Sequence, residues 1–360
     1  MYKLANAKIS SGRLSLATLL RLRVLLGHYC PVSPRVTLRL FSWIYCLLLP
    51  YLLCIYTTKY MASRGAPIFP VLSLMIEYWA NAILSLLSEQ THFFELLKGV
   101  ELIDREMGFD HLPLIMPATG YIFSVIIVHK AWNCFSNFVL FGHGIYFASF
   151  TNIMTMASAL NCLLSSLPLD LLRLRIKLLR QALTSNLSLS INNTEDKIKI
   201  LWDTFRLYRK LTDNVIGGFH WTKLQIFIST CCCFFSFVIN GYYICLRKKH
   251  STDAEYGIAD CAWDIFWYVL FAAPSCLPAV FCELASREVD KLKSALGELL
   301  LLCEDDELQS ELQLAIEYMD HLPFRETIFQ VWSLDGCFIL AFGGLCTTYL
   351  ITIVQIFGII

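Results

Sequence analysis

Gln355 is a lone amide in a long apolar run near the end of the chain. It follows Thr348-Tyr349-Leu350-Ile351-Thr352-Ile353-Val354 and precedes Ile356-Phe357, and no side chain from Gly336 to Ile360 is charged. An amide at membrane depth is costly unless it meets a partner, water or an ion. A hydrogen bond to a neighbouring helix is one such partner. Glu77 and Asp264 also lie in apolar stretches, where a carboxylate needs a reason, and Lys130 is a charge partner or a snorkelling residue. Enzyme chemistry has no footing, because no nucleophile–base set, no Cys-x-x-Cys and no His-x-x-x-His occurs. No cofactor is implied.

The elements that must position these groups are membrane helices. The chain has 360 residues, 56% hydrophobic and only 16% charged, and its mean hydropathy is +0.57. Soluble domains carry roughly 25% charged residues. Seven stretches are expected to span the bilayer: Leu40–Tyr56, Val71–Leu87, Pro117–Phe138, Phe141–Leu164, Leu224–Leu246, Ala262–Leu284 and Gly336–Gly358. The third and fourth lie so close that they form either one long helix or a tight hairpin. Pro274 and Pro278 are expected to kink or break the sixth. Gly343-Gly344 suits close packing in the seventh.

The basic residues orient this bundle. Of 29 Lys and Arg, 22 fall in the N-terminal segment and the even-numbered connections, against 5 in the two opposite loops. Positive residues favour the cytoplasm, so the N-terminus lies inside and the C-terminus outside. This is the reverse of a G-protein-coupled receptor. The basic N-terminal arm also suits anionic lipid headgroups. With no net charge, nucleic-acid binding has no electrostatic support. Most of the fifteen cysteines read as small apolar side chains, with Cys245 and Cys261 as the pair able to bridge in the oxidising exterior.

Two cytosolic connections are too patterned to be plain loops. Leu169–Leu183 mixes apolar residues with Arg173, Arg175, Lys177 and Arg180, as where a membrane helix runs on into the cytosol. Ile198, Leu201, Phe205, Tyr208 and Val215 recur near helical spacing, as do Leu308, Leu312, Ile316, Met319 and Leu322. The acidic run Glu304–Glu307 suits the start of that second helix. Such stripes must be buried against one another, which implies a helical layer beneath the membrane. The sequons at Asn186 and Asn192 fall on the cytosolic side and are expected to stay unglycosylated. The fold class is therefore all-α: a polytopic membrane protein of seven transmembrane helices with cytosolic helical extensions. It reads as one domain, 1–360, made of an arm (1–39), six helices with the cytosolic layer (40–335) and the last helix (336–358).

The chain resembles the insect gustatory receptor family. That family's last helix carries Thr-Tyr, five apolar residues and Gln-Phe; here Thr348-Tyr349 is followed by five residues and Gln355-Ile356, with Phe357 one place late. Ser333-Leu334-Asp335 resembles the family's approach to that helix, and Gly217-Gly218-Phe219-His220-Trp221 is a further echo. The resemblance implies a ligand-gated cation channel in sensory-neuron plasma membrane, assembled as a homo- or heterotetramer around a pore lined by the last helix. Gln355 and Ile356 then fall at the narrow part, with Thr348 and Tyr349 as packing and hydrogen-bonding residues. The partners would be lipid, permeating cations and a small-molecule tastant, a bitter-type plant compound ahead of a sugar. Ligand contact is expected in the outer halves of the first six spans, at Glu77, Trp132, Asn133, Tyr243, Trp263, Asp264 and Trp267. The alternatives are a non-gating accessory subunit, suggested by Ile356, and a secondary transporter, which would show repeats and broken helices.

Overall fold

The computed structural model describes residues 16–29, 36–63, 69–87, 91–108, 117–139, 145–188, 194–250, 258–321, 324–329 and 332–356. They form helices α1 (Leu16–Leu25), α2 (Val36–Ser63), α3 (Phe69–Leu87), α4 (Thr91–Glu106), α5 (Pro117–Val139), α6 (Ile145–Ser188), α7 (Thr194–His250), α8 (Ile258–Leu302), α9 (Asp306–His321) and α10 (Gly336–Ile356). Strands β1 (Thr327–Ile328) and β2 (Trp332–Ser333) pair antiparallel between α9 and α10.

Helices α2, α3, α5, α6, α7, α8 and α10 fall on the seven stretches expected to span, of which 141–144 and 357–358 lie outside the described residues. By length and composition, 39–63, 149–185, 222–243 and 336–356 are each apolar enough to cross a bilayer, and 71–87 and 119–129 are shorter apolar runs. The third and fourth spans are separate helices packed on each other. The Thr119 hydroxyl near the start of α5 donates to Asp170, far along α6, so the two run antiparallel as a hairpin.

Of the kink or break expected at Pro274 and Pro278, the break does not occur: α8 continues through both. Packed neighbouring helices and local adjustment can satisfy the carbonyls that each proline frees, so membrane helices tolerate them.

The larger core lies in the cytosolic layer. Leu169, Leu172, Ile176 and Leu183 of α6 pack with Leu201, Phe205, Leu211 and Val215 of α7. Leu292 and Leu296 of α8 and Leu308, Leu312 and Met319 of α9 complete it. Both stripes read from sequence are thus turned inward, apart from Leu322, which lies outside the described residues. Helix α9 starts on Asp305, whose Oδ1 accepts the amides of Glu307 at 3.1 Å and Leu308 at 3.4 Å. Its Oδ2 takes the hydroxyl of Thr194, the first residue of α7, so one carboxylate ties two helix starts together.

Helix α4 was not expected from the sequence. It adds Leu96, Leu97, Val100 and Ile103 to the same core. Its Asp104 accepts two hydrogen bonds from Arg175 of α6, at 3.1 and 2.7 Å. Residues 16–29 also fold back onto the bundle. Tyr78 donates its hydroxyl to the Leu26 carbonyl at 2.7 Å, and the Tyr29 amide donates to Ser85 at 2.9 Å.

Candidate functional site: the last helix and a buried carboxylate

Helix α10 carries no charged side chain, yet only Cys346 and Val354 of its 21 residues are buried. Its protein-facing side packs on α7 and α8. Tyr349 meets Phe234 edge-on at 5.4 Å, and Leu350 lies against Gly241, where a side chain's Cβ would fall 2.8 Å from Leu350 Cδ1. The opposite side carries Ala341, Gly344, Thr348, Thr352 and Gln355, all exposed in a single chain. These residues recur at helical spacing, so the small and polar side chains share one stripe. Ile356, next to Gln355, is 73% exposed.

The threonine hydroxyls on this helix are internally satisfied. Thr347, Thr348 and Thr352 each donate to the carbonyl four residues earlier, at 2.9 Å. Such back-bonding removes most of the cost of a hydroxyl in apolar surroundings. Gln355 has more donors and acceptors than this device can absorb. Its amide is therefore the one group of the stripe that calls for water, an ion or another chain.

The approach to α10 is tightly built. Asp335 caps the helix, with Oδ1 accepting the Phe338 amide at 3.1 Å and Oδ2 accepting the Ser333 hydroxyl at 2.8 Å. The Gly336 amide donates to Glu283 of α8 at 3.4 Å, and Arg287 pairs with that carboxylate at 2.9 Å. The Leu334 amide donates to the Glu326 carbonyl at 2.8 Å, and the Glu326 carboxylate pairs with Lys223 of α7 at 2.8 Å. Phe227 stacks on Trp332 at 5.7 Å and meets Phe329 edge-on at 5.4 Å. The Ser333-Leu334-Asp335 segment thus fastens the last helix to both α7 and α8.

A second site lies inside the bundle. Glu77 of α3 is buried and accepts the hydroxyl of Ser158 on α6. Ser229 of α7 is the second hydroxyl beside the carboxylate. A cavity of about 10 Å³ adjoins them, lined by Glu77, Thr155, Ser158, Cys233, Pro274 and Ser275. That is room for about one water molecule. One turn along α3, Asn81 donates to Ser229 at 3.5 Å. Ser73 and Ser236 join the same two helices at 2.5 Å. Helices α3, α6, α7 and α8 thus converge on a polar pocket in an apolar bundle.

Of the expected ligand residues, Glu77 lines this cavity. Trp132 is exposed and packs on Phe135 at 5.9 Å. Tyr243 is half-buried beside Tyr242 at 5.8 Å. The side chains of Asn133, Trp263, Asp264 and Trp267, and of Cys245 and Cys261, lie outside the described residues. The partners of Glu77 were not identified from sequence; polar residues on the apolar faces of the fourth and fifth spans are the signal that could have found them. Among the described residues no group of three His, Cys, Asp or Glu side chains is arranged to hold a metal.

Comparison with known proteins fits this architecture. The sequence model of the family described as 7tm Chemosensory receptor matches residues 16–356. No curated protein sequence gives a significant match. The olfactory receptor OR5 of the insect Machilis hrabei, solved in complex with eugenol, is similar in fold with a TM-score of 0.58 at 15% identity. The match covers 94% of this chain and 97% of that one. The same receptor solved without eugenol gives a TM-score of 0.52 at 14% identity over the same shares. These likenesses are of fold. Matched over nearly its whole length, the chain belongs to the 7tm chemosensory receptor family, as a multi-pass membrane protein and not an enzyme.

Proposed function

We propose that this chain is a gustatory receptor subunit that forms a ligand-gated, non-selective cation channel in sensory-neuron plasma membrane. One observation carries the reading: α10 packs by one side only, and its uncovered side bears a small and polar stripe ending in Gln355. Facing lipid, that stripe would leave an amide unsatisfied. Facing the axis of an assembly of such chains, it lines a water-filled path and sets Gln355 beside Ile356 at the outer end. A tetramer is the assembly inferred, with the cytosolic helices holding the subunits together.

Taste is favoured over smell by the spacing Thr348-Tyr349 to Gln355. Small organic ligands would be met at the outer span ends, by Trp132, Asn133, Tyr243, Trp263, Asp264 and Trp267, with Glu77 at the floor of that region. The chain is taken as one domain, 1–360, with 336–358 as its pore helix. The test is expression alone in an electrically silent cell, recording currents across a panel of tastants. Ligand-evoked cation current is expected. Protein that reaches the surface and stays silent, but alters the currents of a co-expressed receptor, would overturn the reading. It would favour an accessory subunit, for which Ile356 in place of the family's Phe is the supporting observation.

A further inference from the structure

We propose that the pocket around Glu77 binds one alkali cation of sodium's size. The site is built from four helices and from oxygen donors. Glu77 supplies the charge, Ser158 and Ser229 stand beside it, and Thr155 and Ser275 line the adjoining cavity. Hard monovalent and divalent cations take such carboxylate, hydroxyl, amide and water oxygens, whereas sulfur and imidazole ligands suit transition metals. A single carboxylate among neutral donors matches a single positive charge.

Two further observations point to a missing occupant. Among the described side chains, no lysine, arginine or histidine pairs with Glu77; the groups acting on it are two hydroxyls. A buried carboxylate without a counter-charge is strongly penalised in an apolar bundle. Asn81 is 0% exposed, and its Oδ1 has no partner while its Nδ2 is engaged by Ser229. Asn161, one turn from Ser158 on α6, is buried with both amide atoms unpartnered. Buried amide oxygens are rarely left so. A cation in the cavity beside Glu77 supplies the counter-charge that the described side chains do not.

Size decides against larger occupants. A cavity of about 10 Å³ holds about one water. An alkali ion in place of that water fits; the ammonium head of an organic ligand needs several times the space. The inference stands whether or not the chain is a channel, because it concerns the interior of one subunit.

The experiment is thermal unfolding of the full purified chain in detergent, in sodium chloride against choline chloride of equal ionic strength. A ligand that binds only the folded state raises Tm with its concentration. A rise of about 2 °C is expected at sodium tenfold above its dissociation constant. In Glu77→Gln the sodium-dependent rise should vanish, and in Ser158→Ala the dissociation constant should increase. Should Glu77→Gln fail to fold, radiosodium binding to the wild-type protein, displaced by unlabelled sodium and not by choline, carries the test. No sodium-specific shift or binding in the wild type overturns the proposal, as does an undiminished shift in Glu77→Gln. Stabilisation by acid in place of sodium also overturns it, leaving a protonated Glu77 bonded to the serines.

Discussion

Arg175 grips Asp104 with two parallel hydrogen bonds, Nε at 3.1 Å and Nη2 at 2.7 Å, in a place where both side chains are buried. The pair joins α6, where it leaves the membrane, to α4, the short helix beneath it. A planar guanidinium and a carboxylate match in geometry, and lysine cannot reproduce that fork.

Removing one partner strands the other charge in the core. Asp104→Ala is therefore expected to destabilise the cytosolic layer by about 3–5 kcal/mol. Arg175→Lys should recover only part of the wild-type stability. Thermal melting of purified protein and the fraction reaching the cell surface measure both, and wild-type melting in Asp104→Ala would refute the role.

The packing of α10 on α7 rests on the absence of a side chain at Gly241. A Cβ there would lie 2.8 and 3.0 Å from the two Cδ atoms of Leu350, so the leucine tip must turn aside. Gly241→Val is expected to cost about 1–3 kcal/mol by overpacking, with Gly241→Ala nearer the lower end. Because the strain falls on the last helix, the same variants should raise current in the absence of ligand. Unchanged melting together with unchanged basal current would show that the contact carries no stress.

Gln355 is tested through charge. Gln355→Glu keeps the shape and adds a carboxylate to each copy at the proposed narrow point. Divalent cations should then permeate better relative to sodium, and large cations should block more strongly. Reversal potentials measured in paired ionic conditions decide this. Identical potentials in both proteins would remove Gln355 from the conduction path.

Asp305 links stability to pH. The hydroxyl of Thr194 and the amides of Leu308 and Glu307 hold its carboxyl below the usual value of 3.8. The folded state therefore binds this proton less readily than the unfolded chain. The contribution is fully present above 3.8 and is lost as pH falls through the lower folded value. Asp305→Ala should melt below the wild type near neutral pH, and the two curves should converge in strong acid. A gap that persists unchanged on acidification would count against the linkage.

Much of the frame was legible because helical periodicity survives in a single sequence. Leu308, Leu312 and Met319 announced α9, and Leu201, Phe205 and Val215 announced the lower part of α7, each turning inward as the spacing demanded. Helix α4 carries an equally regular stripe, Leu96, Leu97, Val100 and Ile103, but it is short and interleaved with Glu95, Glu101 and Asp104. Its signal merged with that of a charged loop. The return of residues 16–29 onto α3 was invisible, because it rests on contacts such as Tyr78 with the Leu26 carbonyl that have no local signature. At the candidate sites, Gln355 stood out as an amide without charged neighbours and Glu77 as an acid in an apolar run. The companions of Glu77 come from other helices, and only the fold brings Ser158 and Ser229 to it.

Helix α7 runs unbroken for 57 residues, from Thr194 beside Asp305 to His250 at the outer end. At 1.5 Å per residue it is a rod about 85 Å long. Gly217 and Gly218, the obvious weak point, lie within it without interrupting the helix. A beam of that kind works as a lever with its lower arm clamped in the cytosolic core. Pivoting such a rod by a few degrees in that core would sweep its tip sideways by several ångströms while its base barely shifts. Leu350 and Tyr349 bear on that upper arm, so a pivot of the rod would press directly on the last helix.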